Sequence, residues 1–215
     1  AELDKDIRQA YRGGWTYLSP RYKNKVVGDV SVFDVNSLYP AQMKYRMLPY
    51  GNPIGFEGEY TEISGYPLFV QRIVCEFKLK KNKLPTIQLK HSRDFIATEY
   101  LTSSKGQRIA LTLTNVDLEL FYEHYDVIDP EYIGGYAFKG KVGMFDEYID
   151  KWMEVKKQST IDENCAMRTL AKLMLNALYG KFGLRIECAS NIPVYDEEKD
   201  KITYKLGEPE EREPV

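Results

Sequence analysis

The chain has 215 residues, 43% of them hydrophobic and 29% charged. That composition can bury a substantial core and excludes a wholly disordered chain. The 30 Lys and Arg against 32 Asp and Glu give a net charge of −2, which leaves local basic surfaces for phosphates open. No apolar run approaches the roughly 20 residues a membrane helix needs, and no signal peptide opens the chain. Cys75, Cys165 and Cys188 are widely spaced and accompanied by two histidines, so neither a disulfide framework nor a structural zinc site is expected. A soluble protein of a reducing cytosol is. The absent initiator Met and the abrupt Glu211–Val215 end read as those of a piece excised from something longer.

Residues 26–35 alternate and are rich in Val and Phe, which predicts a strand ending near Asp34. After Asn36-Ser37-Leu38-Tyr39-Pro40 a stretch with helical spacing is expected up to Met47, and the Leu48-Pro49-Tyr50-Gly51-Asn52-Pro53 sequence reads as a breaker. From Tyr66 to Leu89 the pattern is strand-like: a run through Val70, Ile73, Val74, Phe77 and Leu79, a Lys80–Lys83 turn, and a return over Ile87–Leu89. A short helix is expected over Asn115–His124 with Asn115 as cap. Another strand is expected over Tyr132–Val142, where Gly134-Gly135 permits a bulge.

Phe145, Tyr148, Ile149, Trp152 and Val155 recur at three- and four-residue steps, as one helix stripe does. Ser159 and Thr160 break the pattern, and a second helix follows from Met167 to Tyr179, stopping near Gly183. The two make an αα-hairpin. A small β-hairpin is expected over 192–195 and 201–204. The fold class is α+β: a strand-bearing base, a β-rich insertion and a helical hairpin.

Asp34, placed at the end of an apolar strand, suits a hard divalent cation or the capping of the helix that follows. Arg168, Lys172, Asn176 and Tyr179 are spaced by 4, 4 and 3 residues and share one helix face. With Lys156 they could hold a triphosphate; alternatively they are a solvated face. The stretch Arg72–Arg93 holds Arg72, Lys78, Lys80, Lys81, Lys83, Lys90 and Arg93 against a single acid, Glu76. It is either a phosphate surface or a guarded strand edge.

Asp34-Val35-Asn36-Ser37-Leu38-Tyr39-Pro40 and Lys172-Leu173-Met174-Leu175-Asn176-Ala177-Leu178-Tyr179-Gly180 resemble motifs A and B of the family B DNA polymerases. Tyr11-Arg12-Gly13-Gly14 before the first and Lys181-Phe182 after the second are most similar to the protein-primed bacteriophage branch.

The resemblance implies a fragment of a DNA-directed DNA polymerase that adds deoxynucleotides to a primer hydroxyl by two-metal nucleotidyl transfer, with Mg²⁺ or Mn²⁺. Asp34 would be a catalytic metal ligand, aided by the Val35 carbonyl. Ser37, Leu38 and Tyr39 would border the nucleotide, with Tyr39 as the steric gate against a 2′-hydroxyl. Lys156, Arg168 and Lys172 would grip the phosphates, and Asn176 and Tyr179 would line the nascent base pair. Tyr11, Arg12, Gly13, Gly14, Gly180, Lys181 and Phe182 would contact DNA. Implied partners are template and primer DNA, deoxynucleoside triphosphates and a terminal priming protein in a bacterial host cytoplasm.

The implied partition is a partial palm over 1–46, a first terminal-protein region over 47–141, fingers helices over 142–186 and a second terminal-protein region over 187–215. Ala177 stands where many relatives carry Ser. The family's Asp-Thr-Asp of motif C is absent, and Asp4-Lys5-Asp6, in a helix-like N-terminus, does not replace it. The fragment alone is therefore expected to be inactive. A non-catalytic DNA- or terminal-protein-binding module is the alternative.

Overall fold

The computed structural model describes residues 2–88, 100–183, 187–196 and 200–211. Leu89 of the expected return strand and Lys90 and Arg93 of the basic stretch lie outside them. The chain divides into two compact units, Ala1–Asn36 with Met43–Met144, and Ser37–Gln42 with Phe145–Val215. Helix and strand are mixed as expected.

In the first unit, β1 (Leu48–Glu57), β2 (Leu68–Leu79), β3 (Ile109–Thr114) and β4 (Tyr125–Lys141) form one antiparallel sheet in the order β1-β4-β2-β3. A short helix α1 (Glu2–Ile7) precedes it, and α3 (Asn115–His124) follows β3 directly. Period-two alternation along β2 buries Ile73, Cys75 and Phe77. These join Ile87, Leu111, Leu113, Phe121 and Tyr125 in the core. Phe77 meets Phe121 and Tyr125 edge-on, each at 5.4 Å between ring centres. The Tyr125 hydroxyl, taken into this apolar cluster, donates to the Leu101 carbonyl at 2.8 Å and accepts from the Thr86 amide at 2.9 Å. A buried phenol needs such partners.

The Gly134-Gly135 expectation holds. The β2–β4 register shifts between Arg72 and Ile73, which pair with Gly134 and Tyr132. A Cβ at Gly135 would lie 1.9 Å from the Val70 carbonyl oxygen, so only glycine lets the strands approach there. The buried Gln71 amide then ties this bulge to the next loop, donating to the carbonyls of Gly58 and Gly134 at 3.0 Å each. Its oxygen accepts from the Tyr60 amide at 2.9 Å.

Several expectations are corrected. Residues 26–35 form no strand: the segment pairs with nothing among the described residues, and Val32 and Phe33 are 89% and 92% exposed. Alternation supplies a face to bury, but a strand also needs a neighbouring backbone. Asp34 is accordingly an exposed residue of an irregular segment, not a strand end. The helix Leu38–Tyr45 stops before the Leu48–Pro53 sequence, as a breaker requires, but that sequence is not a loop. It lies within β1, whose register shifts between Tyr50 and Ile54. An edge strand with a bulge tolerates proline because its outward amides need no partner.

Of the expected return, the described residues Ile87 and Gln88 do not ladder onto β2, which pairs with β3 and β4 instead; Gln88 makes one isolated bridge to Tyr100. The cap of α3 is Thr114, not Asn115, with its hydroxyl accepting from the Asp117 amide at 3.2 Å.

In the second unit, α4 (Asp146–Ile161) and α5 (Cys165–Phe182) form the expected hairpin. Ser159 and Thr160 do not end α4. Their hydroxyls bond back to the carbonyls of Val155 and Lys156, at 2.6 and 2.8 Å, and so are satisfied within the helix. Asn164 caps α5 through the Met167 amide at 3.0 Å, and α5 ends at Gly183. Ile149, Ala171 and Leu175 are buried, and the Tyr148 hydroxyl donates to the Met174 carbonyl at 2.9 Å. The expected C-terminal hairpin is present as β5 (Glu187–Asp196) with β6 (Lys201–Glu211). Helix α2 (Leu38–Tyr45) starts in this unit. Among the described residues no helix is long and apolar enough to cross a membrane.

Candidate functional site

Ser37 precedes α2 in a left-handed conformation, φ +52°. Its carbonyl accepts the Ala41 amide at 3.0 Å, beginning the helix. Pro40 falls in the first turn, where its missing N–H costs no hydrogen bond. This turn carries Ser37, Leu38 and Tyr39, three of the expected nucleotide-bordering residues, and two contacts join it to the hairpin. Lys156 Nζ on α4 donates to Ser37 Oγ at 3.0 Å. The Tyr39 and Tyr179 rings lie 4.7 Å apart at 32°. Residues more than a hundred positions apart thereby meet.

On α5 the buried Ala171 and Leu175 face inward, which leaves Arg168, Lys172, Asn176 and Tyr179 on the exposed side. The solvated-face alternative and the phosphate-binding one both require this exposure; the Tyr39–Tyr179 contact sets the position of that face relative to the α2 turn. Gly180 has open space around its Cα and Lys181 is exposed. Phe182 rests against Phe145 at 5.3 Å, so its ring also holds the ends of the hairpin together.

Asp34 and Val35 belong to the first unit and are exposed. Among the described residues no three His, Cys, Asp or Glu side chains gather where they could hold a metal. Asp4 pairs with Arg8 at 2.6 Å and Asp6 accepts from the Tyr136 hydroxyl at 3.1 Å, both on or beside α1. The donor set present does not by itself amount to a metal centre.

The Tyr11–Gly14 loop lies against the sheet in the first unit. Arg12 donates to the Thr112 carbonyl at 3.3 Å; burial lowers its pKa, opposed by the charge of Asp117. Arg12 and Gly13 help line a cleft of about 340 Å³ with Trp15 and Asp117. Sequence reasoning passed over the neighbouring aromatic cluster. Trp15 stacks on Tyr17 at 5.5 Å, both approach Tyr100, and the indole N–H donates to the Pro85 carbonyl at 3.0 Å. The Trp15-Thr16-Tyr17 alternation was the available signal.

The basic stretch is divided. Lys80 Nζ donates to the Tyr122 and Glu123 carbonyls at 2.7 and 3.3 Å, completing the C-terminal end of α3. Lys83 pairs with Glu123 at 2.6 Å and holds that carboxylate below its ordinary pKa. Arg72, Lys78 and Lys81 remain exposed.

The sequence profile of the family described as DNA polymerase type B, organellar and viral, matches residues 1–215. The chain belongs to this family. Among type B relatives it is 51% identical over 213 residues to the DNA polymerase of Bacillus phage phi29, covering 99% of this chain and 36% of that protein. It is 48% identical over 213 residues to the DNA polymerase of Bacillus phage Nf, with the same coverage. A solved structure of the phi29 DNA polymerase complexed with primer-template DNA and incoming nucleotide superposes with a TM-score of 0.86 at 50% identity, covering 99% of this chain and 37% of that one. The chain thus spans little more than a third of the length of these phage polymerases.

Proposed function

We propose that this chain is the central part of a DNA-directed DNA polymerase of the protein-primed phage branch. In this reading, residues 1–46 belong to the palm, 47–141 and 187–215 are insertions facing a terminal priming protein and DNA, and 142–186 are the fingers. The supporting observation is the meeting of the two motif-bearing segments: Tyr39 against Tyr179, and Lys156 on Ser37. A contact between these two tyrosines is compatible with a nucleotide site bordered by both segments.

The roles are those the family resemblance implies, and the side-chain chemistry suits them. Arg168 offers a planar fork and Lys172 and Lys156 compact charges, so together they bind and orient a triphosphate. Tyr39 would exclude a 2′-hydroxyl by its bulk. Asn176, Tyr179 and Gly180 border the base pair, while Tyr11–Gly14, Lys181 and Phe182 follow the template strand. Divalent ions, Mg²⁺ or Mn²⁺, would supply charge neutralisation during nucleotidyl transfer. Asp34 and the Val35 carbonyl would hold one of them; the remaining ligands are not gathered among the described residues. We infer that the 215-residue chain alone extends no primer.

Primer extension tests both statements. The isolated chain is expected to give none. A chimera with this segment in place of the matching 213 residues of the phi29 polymerase is expected to extend a primer in Mg²⁺, and Asp34→Ala is expected to abolish that. Extension by the isolated chain would overturn the fragment reading. A folded chimera without activity would overturn the polymerase reading.

A further inference from the structure

The Lys156–Ser37 hydrogen bond carries more than a link between two segments. Ser37 adopts φ +52°, a conformation a non-glycine residue enters at a cost. Its carbonyl is committed to Ala41, which fixes the backbone, so the half-buried hydroxyl has little freedom in where it points. Lys156, also half-buried, donates to that hydroxyl at 3.0 Å. A lysine stem has many rotamers, and an acceptor on a rigid turn removes most of that freedom before any ligand arrives.

The partner's chemistry matters as much as its place. One helical turn from Lys156 on α4 stand Trp152, Met153, Ser159 and Thr160, none of them acidic. Lys151 and Lys157 on the same helix each have Glu154 three residues away. The acceptor for Lys156 is thus a neutral hydroxyl, which orients an ammonium without cancelling its charge. A carboxylate at position 37 would hold it more tightly and neutralise it.

We infer that Ser37 is a positioning residue for Lys156, a neutral docking point that presents the ammonium to a polyphosphate anion with its charge intact. The inference rests on the proposed reading of Lys156 as a phosphate-gripping cation and adds what places that cation.

Titrating the 215-residue chain with inorganic tripolyphosphate by calorimetry at low salt provides the test. Ser37→Ala is expected to weaken binding by about 3- to 10-fold, the loss of one hydrogen bond. Ser37→Gly should do the same, although glycine takes this backbone conformation freely, which separates the hydroxyl from backbone strain. Ser37→Asn, a neutral acceptor tolerant of the left-handed region, should restore affinity to within about twofold. Ser37→Asp should weaken binding as far as Lys156→Met does. In a Lys156→Met background Ser37→Ala should cost nothing further.

Undiminished affinity in Ser37→Ala and Ser37→Gly, with Lys156→Met weakened, would overturn the positioning role and leave the reading of Lys156 standing. An undiminished Lys156→Met, or no tripolyphosphate binding by the unsubstituted chain, would overturn the reading of Lys156 and this inference with it.

Discussion

Tyr39, in the first turn of α2, lies with its ring 4.7 Å from that of Tyr179 near the end of α5. An aromatic pair of this geometry contributes about 0.5–1.5 kcal/mol beyond its buried area, the lower part of that range here because both rings are exposed by more than a third. The pair holds the sugar-facing residue of the proposed site in one orientation. In the chimera described above, Tyr39→Val should lower the preference for deoxy- over ribonucleotides by at least about tenfold, as loss of a steric contact does. Tyr179→Phe, which keeps the ring pair, should leave it nearly unchanged. Single-nucleotide incorporation with each triphosphate measures the ratio, and full discrimination in Tyr39→Val would remove Tyr39 from the gate role.

Gln71 is fully buried and bonded to Gly58, Gly134 and Tyr60. Gln71→Leu fills the volume but removes the partner of the Gly58, Arg72 and Gly134 carbonyls and of the Tyr60 amide. We expect a loss of roughly 2–4 kcal/mol, read as a lower urea midpoint with an unchanged slope. A change under half a kcal/mol would mean that water reaches these groups.

Two strand glycines should behave in opposite ways. Gly135→Ala drives a methyl into the Val70 carbonyl, whereas a Cβ at Gly55 meets nothing within 4 Å. The first should destabilise by about 3 kcal/mol or more, because backbone cannot yield as a side chain can. The second should change stability by less than about 0.5 kcal/mol. Thermal unfolding of both variants under one buffer makes the comparison, and equal melting temperatures would refute the close approach.

Burial within the core pushes the Cys75 thiol up to about 11, with Arg108 opposing. The folded chain therefore keeps this proton where the unfolded chain, near its ordinary value of 9.0, has released it. The stabilisation from the neutral thiol is complete below pH 9 and declines as pH rises towards 11. A Cys75→Ala variant should lose this part of the alkaline decline, measured by urea unfolding between pH 8 and pH 11. At pH 8 a thiol reagent should label exposed Cys165 in the native chain and spare Cys75 until it unfolds; labelling of native Cys75 would contradict the burial argument.

The helical hairpin was legible because Phe145, Ile149, Trp152 and the residues of α5 repeat at a period that local geometry alone imposes. Two multi-residue patterns, at 34–40 and 172–180, supplied most of the residues of the proposed site. The strand expected at 26–35 was not realised, because an alternating pattern cannot tell whether a partner backbone lies beside it. The edge position that lets Pro49 and Pro53 remain within β1 is likewise a property of the sheet order, invisible in the residues themselves.

Helix periodicity, turn chemistry at Gly134-Gly135 and Gly183, and the family-bearing motifs were determined by the sequence, because each depends on residues within a few positions of one another. Only the tertiary structure decided that Lys80 completes α3, that Lys156 rests on Ser37, and that Tyr39 meets Tyr179. Those pairings join residues from 42 to 140 positions apart, and a chain brings such residues together only by burying the surfaces between them.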